Sequence, residues 1–156
     1  MRAGEGSGCG GWFSARLPGD VAPEGFGGGC ECCRLGCGGW GCCSYACRKR
    51  GRNVVFKVPR GYEVLVEGGL SPAIPEAVAK GFAREAGFVA RLNHPHILRL
   101  LGYSRRAPLL VYEYADGGTL GGLLSRGWRP GLAEAALVGA QLADALRYIH
   151  SRGLVH

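Results

Sequence analysis

Four glycines within six residues, Gly36, Gly38, Gly39 and Gly41, open a stretch that limits the fold more than any other, LGCGGWGCCSYACRKRGRNVVFKV from Leu35 to Val58. It reads as a hairpin of two strands joined by a turn around Lys49–Asn53. Glycine reaches positive φ and lets backbone N–H groups approach a ligand closely. A row of such groups cradles an anion. The second strand is apolar apart from Lys57, which sits among Val54, Val55, Phe56 and Val58. Alternation along a strand puts Lys57 on the face of Val55. An ammonium in that setting is expected to point at a specific partner.

A partner is available further along. Pro75-Glu76 opens a helix, as Pro and acidic residues do, and the helix is expected to run to about Leu92. Val78, Phe82, Val89 and Leu92 fall on one face, with Glu85 in the middle of it. A carboxylate in an apolar stripe is costly unless it is paired. Either the stripe curls so that Glu85 reaches water, or Glu85 pairs with a cation, for which Lys57 is the obvious candidate. Gly81 and Gly87 each weaken the helix by about 1 kcal/mol relative to alanine.

The remaining elements follow from punctuation and periodicity. Residues 59–75 hold Pro59, Gly61, Gly68, Gly69, Pro72 and Pro75, a loop with at most a short strand at Tyr62–Val66. Ile97–Tyr103 and Leu109–Tyr114 read as a second hairpin. His94 and His96 flank Pro95 at a helix-to-strand corner and are read as structural, not as metal ligands. Thr119 caps a short helix to Ser125. A long helix spans Leu132 to about Arg152, with Val138, Leu142, Ala145, Leu146 and Ile149 as its apolar stripe.

Composition narrows the classes. A chain of 156 residues with 47% hydrophobic content is long enough for one core. The net charge of +7 comes from sixteen Arg and three Lys. These are scattered except at Arg48–Arg52, which reads as a solvated turn, so no nucleic-acid partner is expected. Residues 1–29 contain ten glycines and no apolar signal core; they are expected to be a poorly ordered leader. No run reaches the length of a membrane span, and a cytoplasmic location is inferred. Seven of the eight cysteines crowd into positions 30–47. Disulfide frameworks usually belong to small secreted chains. Zinc modules present C-x₂₋₄-C pairs set well apart. The favoured reading is that these cysteines stand in for small apolar residues on the strands, and no metal ligand is assigned.

The order of these parts, over about residues 35–156, resembles a protein kinase. Gly36-x-Gly38-x-x-Gly41 is similar to the family's loop over the ATP phosphates, with Cys43 where a valine is expected. Val55-Phe56-Lys57-Val58 resembles the strand with the phosphate-binding lysine, and Glu85 matches the glutamate that pairs with it. Val111–Ala115 resembles the hinge that bonds adenine, with Tyr112 at its gatekeeper position. Asp116–Leu120 looks like the start of a second lobe. Tyr148–His156 looks like the approach to the H-R-D catalytic loop. The glycines precede a hairpin and not a βαβ unit, which argues against a dinucleotide fold.

The resemblance implies an α+β, protein-kinase-like fold. A small N-lobe of antiparallel sheet plus one helix is followed by the first helices of an incomplete C-lobe. The expected divisions are 1–29 as leader, 30–114 as N-lobe and 115–156 as the start of the C-lobe. The implied activity is ATP-dependent, Ser/Thr-type phosphotransfer to a protein. The implied roles put Gly36, Gly38, Gly39 and Gly41 on the phosphates and Leu35, Cys43 and Val55 over the adenine. Lys57 takes the α and β phosphates, Glu85 orients Lys57, and the backbone of Glu113 and Ala115 reads the adenine edge. The family also uses Mg²⁺. Its ligands and the catalytic aspartate would follow His156, so the sequence as given is expected to be inactive alone. A non-catalytic nucleotide-binding or interaction module is the alternative, and a cysteine-rich zinc protein a more distant one.

Overall fold

A computed structural model of the chain describes residues 11–17, 22–37, 41–67, 73–104 and 106–155. Strands β1 (Phe13–Leu17), β2 (Gly28–Cys37), β3 (Cys42–Lys49), β4 (Arg52–Pro59), β5 (Leu100–Tyr103) and β6 (Leu110–Glu113) form one antiparallel sheet. Their order is β1-β2-β3-β4-β6-β5. The helices are α1 (Val64–Glu67), α2 (Glu76–Val89), α3 (Leu120–Ser125) and α4 (Leu132–His150). Two compact units result: the sheet with α1 and α2, and residues 92–99 with 115 onward.

The β3–β4 turn sets the parity of the sheet. Lys49 lies opposite Arg52, leaving a two-residue loop in which Arg50 (φ 48°) and Gly51 (φ 77°) are both left-handed. This is the type I′ geometry that matches strand twist. Counting back, Tyr45 faces Phe56 and Cys43 faces Val58 on one side, while Ser44 faces Lys57 and Ala46 faces Val55 on the other. The first side is the core. Tyr45, Phe56, Val58, Leu109 and Val111 are wholly buried there, joined by Leu65 and Val66 from α1. Phe26 stands edge-on to Phe56 at 6.4 Å between ring centres. Burying one such side chain contributes about 1.5–3 kcal/mol.

Three expectations are corrected here. The stretch read as a leader contains β1, which pairs with β2 and buries Ala15 and Leu17. Its FSARL pattern alternates with period two, a signal that the surrounding glycines obscured. Residues 1–10 and 18–21 lie outside the described residues. The possible strand at Tyr62–Val66 is instead the turn that opens α1, with Leu65 N–H bonded to Tyr62 O and Val66 N–H to Glu63 O. Leu65 and Val66 are consecutive yet both enter the core. One helical turn permits this, whereas a strand sends neighbours to opposite faces.

The third correction concerns the cysteines. Cys32 and Cys47 are directly opposite across β2–β3, as are Cys37 and Cys43, and both pairs are disulfides. Spacing along the chain does not reveal partners that face each other across strands. Cys30 and Cys42 remain thiols. The basic run at the turn does not make one patch. Arg48 stacks over Trp12, Lys49 is buried with its ammonium donating to the Gly27 carbonyl, and Arg50 and Arg52 are exposed.

In the second unit Thr119 Oγ1 caps α3 by accepting the Gly122 N–H at 3.0 Å, and Glu134 accepts the Gly131 N–H at the start of α4. The 92–99 corner docks on α4. Tyr148 Oη accepts the Asn93 N–H at 2.9 Å. His94 Nδ1 accepts the His96 N–H, so Nε2 carries the proton and donates to Asp144 at 3.1 Å. Both imidazole nitrogens are thus used structurally. The hydrogen bond from Arg147 outweighs desolvation and holds the Asp144 carboxyl below its usual range.

Two outcomes follow. Leu17→Ala should destabilise the chain by about 2–5 kcal/mol, the cost of a large-to-small change in a packed core. Denaturant unfolding measures this, and an unchanged midpoint would mean that β1 is not part of the core. The second concerns acid. A carboxyl whose folded pKa is depressed contributes stability above its ordinary value of 3.8 and loses it as pH falls through the folded value. Asp144→Asn should therefore flatten the acid limb of stability against pH while changing little in its shape at neutral pH and above.

Candidate functional site

Lys57 on β4 and Glu85 on α2 stand 28 positions apart in the chain and meet at 2.8 Å, Nζ to Oε1. The helix brings Glu85 to the sheet because its third turn crosses the face that carries Lys57; Ala86, beside it, is the one fully buried residue of α2. The same Glu85 oxygen accepts the Tyr112 hydroxyl at 2.9 Å. The lysine and glutamate side chains are 29% and 34% exposed. At that exposure the pair contributes about 1 kcal/mol, as surface ion pairs do, well short of the roughly 3–5 kcal/mol lost when one partner of a buried pair is removed. What the contact fixes is the direction of the ammonium. Glu85 holds one ammonium hydrogen, and the described residues supply no other partner to Lys57, which leaves donors for an anion.

The sheet register defines the floor around this pair. Val55 lies opposite Ala46 on one side and Tyr112 on the other, and Lys57 lies between Ser44 and Leu110. Residues directly opposite share a face, and Cys42, two residues before Ser44, joins them. Electrostatics agree with this placement. Burial raises the Cys42 thiol pKa, the Lys57 ammonium pulls it partly back, and Glu85 pushes it up. Burial raises the Tyr112 hydroxyl most, with Glu85 adding to it by charge and by hydrogen bond, so Tyr112 stays protonated as a donor.

Cys43 requires a correction. It was expected over the adenine, on the Lys57 side, but it is wholly buried in the core, disulfide-bonded to Cys37, on the opposite face. The two-residue turn at Arg50-Gly51 is the cause, because it pairs Lys57 with Ser44 and sends position 43 the other way. Cys42, Ser44 and Ala46 hold the places that the sequence reading missed. Counting pairs back from a two-residue turn would have found them.

The other expected residues fall as follows. Gly36 (φ 140°) and Gly41 (φ 69°) bound the glycine-rich loop, and a Cβ at either would meet nothing within 4 Å, so it is backbone conformation that calls for glycine. Gly38 and Gly39 lie outside the described residues. Leu35 is the extra residue of a bulge between Arg34 and Gly36 and is 38% exposed. Glu113 ends β6 opposite Val54. Ala115 is exposed and begins the second unit. Tyr112, expected at the gatekeeper position, donates to Glu85, a contact that was not foreseen.

Comparison with known proteins bears on this arrangement. The sequence model of the protein kinase domain matches residues 31–156. The chain is 38% identical over 110 residues to CBL-interacting protein kinase 4 of Oryza sativa, which covers 68% of this chain and 22% of that protein. It is 32% identical over 125 residues to a receptor-like serine/threonine-protein kinase of Arabidopsis thaliana, covering 76% of this chain and 17% of that protein. It is 41% identical over 75 residues to Aurora kinase A-B of Xenopus laevis, covering 47% and 18%. The chain spans about a fifth of the length of these relatives. With the family's match running through most of the sequence, the chain belongs to the protein kinase family.

Proposed function

We propose that this chain supplies the ATP-binding half of a serine/threonine protein kinase site. The observation that carries the reading is the 2.8 Å contact between Lys57 and Glu85. An ammonium fixed by a carboxylate at the edge of a glycine-bounded loop suits the α and β phosphates of a nucleotide, because phosphoryl transfer depends on positioning and charge neutralisation. In this proposal the backbone at Gly36, Gly38, Gly39 and Gly41 approaches the phosphates. Leu35 and Val55, with Cys42 and Ala46 in place of Cys43, cover the adenine. The backbone of Glu113 and Ala115 reads its edge. Ser/Thr preference rests on the Arabidopsis thaliana relative, whose name states it, and the protein substrate is undefined.

The residues present fit ATP better than they fit Mg²⁺. Among the described residues the clusters of three or more potential metal-binding side chains are built on cysteine sulfur, and no trio of carboxylates converges. Mg²⁺ takes carboxylate, phosphate and water oxygens. In this proposal these residues position phosphate, and none of them is assigned to the metal. No helix among the described residues is long and apolar enough to cross a membrane. A cytoplasmic location is proposed from the use of ATP. The Cys32–Cys47 and Cys37–Cys43 disulfides weigh against it, since disulfides are rare in reducing compartments outside hyperthermophiles.

Lys57→Met should lower ATP affinity at least about tenfold, the equivalent of roughly 1.4 kcal/mol of lost charge-assisted contact, while leaving the unfolding midpoint nearly unchanged. Titration with a fluorescent ATP analogue reads the first and denaturant unfolding the second. Equal nucleotide affinity in the mutant refutes the assignment. Cys42→Trp should likewise block the nucleotide by filling the Lys57 face. Unimpaired binding in that variant would return the covering role to another position.

A further inference from the structure

Away from the Lys57 face, three sulfurs gather on the core side of β2 and β3. Cys32 and Cys47 are directly opposite, with Cα atoms 4.1 Å apart, and form a disulfide. Cys30 lies two residues before Cys32, hence on the same face. It is a buried thiol that donates to the Ala15 carbonyl, and its sulfur is 3.6 Å from that of Cys32. All three sulfurs lie within 4.8 Å of one another. A thiol held that close to a disulfide in a packed core is not explained by packing alone, since alanine or valine would fill the place.

The spacing suits a metal. With a metal–sulfur bond of about 2.3 Å, three sulfurs in a trigonal plane are roughly 4.0 Å apart. The Cys30–Cys32 edge, at 3.6 Å, is close to that already. The Cys32–Cys47 edge reaches it once the S–S bond opens, through side-chain rotation on two fixed strands. Tetrahedral zinc needs a fourth ligand, and among the described residues no further His, Cys, Asp or Glu belongs to this group. Soft thiolates without a fourth partner select copper(I). The buried Lys49 ammonium acts on Cys30 electrostatically and would offset part of the negative charge.

We propose that Cys30, Cys32 and Cys47 form a redox-dependent site that binds one copper(I) ion trigonally when the Cys32–Cys47 disulfide is reduced. The chemistry balances in two steps. A dithiol reductant gives two electrons and two protons to the S–S bond, becoming a disulfide itself and leaving two thiols. Copper(I) then displaces the protons of all three thiols, three Cu–S bonds form, and three protons pass to solvent. A small-molecule disulfide reverses this: Cys32 and Cys47 give it two electrons and form their S–S bond, it leaves as two thiols after taking up two protons, copper(I) is released, and Cys30 regains its proton. The site is separate from the nucleotide reading and stands or falls without it.

The test uses the full chain, reduced with a phosphine under argon and titrated with copper(I) against a chromogenic copper(I) chelator. The first equivalent should be captured, and X-ray absorption should show three sulfurs at about 2.3 Å. Cys30→Ser and Cys30→Ala should each weaken capture by more than roughly 100-fold, beyond the loss typical of residues that only support a ligand. Cys37→Ser, which removes a sulfur outside the trio, should leave capture unchanged. The chain with its disulfides intact should not compete for the metal. Failure to capture copper, two-sulfur coordination in the unaltered chain, capture indifferent to both Cys30 variants, or equal capture by the oxidised chain would each overturn the proposal. The absorption measurement on the unaltered chain settles the matter even if the variants fold poorly.

Discussion

One carboxylate oxygen of Glu85 ties the helix to the sheet. It receives the Lys57 ammonium from β4 and the Tyr112 hydroxyl from β6. Apolar contact also anchors α2, through buried Ala86 and through Val78 packed against the core, while Gly81 and Gly87 lower its intrinsic stability. The interaction is modest in energy because water reaches both partners. Its importance is positional. It fixes where a single ammonium points, and every role proposed for the surrounding residues takes that direction as given.

The rest of the first unit explains why the position holds. Tyr45, Phe56, Val58 and Val111 fill the opposite face of the same strands, and β4 carries both faces at once. Phe56 and Val58 point one way, Val55 and Lys57 the other. A rigid core beneath a polar site is what a strand can provide and a loop cannot. α1 and β1 close the remaining side of that core, with Leu17, Leu65 and Val66 as their contributions.

Much of this was legible in the residues, for reasons that differ from element to element. Lys57 and Glu85 stood out because each is a charge inside an apolar pattern, and such a charge needs a partner. The Thr119 cap and a turn around Lys49–Asn53 carry local chemistry that sequence states directly, although the two-residue length of that turn was not read from it. β1 was hidden because five alternating residues sit among glycines, and composition outweighed period. α1 was misread because two consecutive apolar residues fit a strand and a helical turn equally. The disulfides depend on which residues face each other across β2 and β3, a relation that linear spacing does not express. Cys43 was misplaced by one step of parity, since the family pattern supplied its role before the register of this hairpin was counted.

That hairpin has a consequence of its own. Because side chains alternate strictly along a strand, the two residues of the Arg50-Gly51 bend act as an odd-or-even counter for the whole of β3. One residue gained or lost there would exchange the inward and outward rows while β4 stayed still. Cys42 would then enter the interior, Cys43 would emerge beside the ammonium, and the bond between Cys37 and Cys43 would have to be given up. A length change at the far tip of a solvent-facing bend would thus rewrite the lining of a pocket some six residue pairs away.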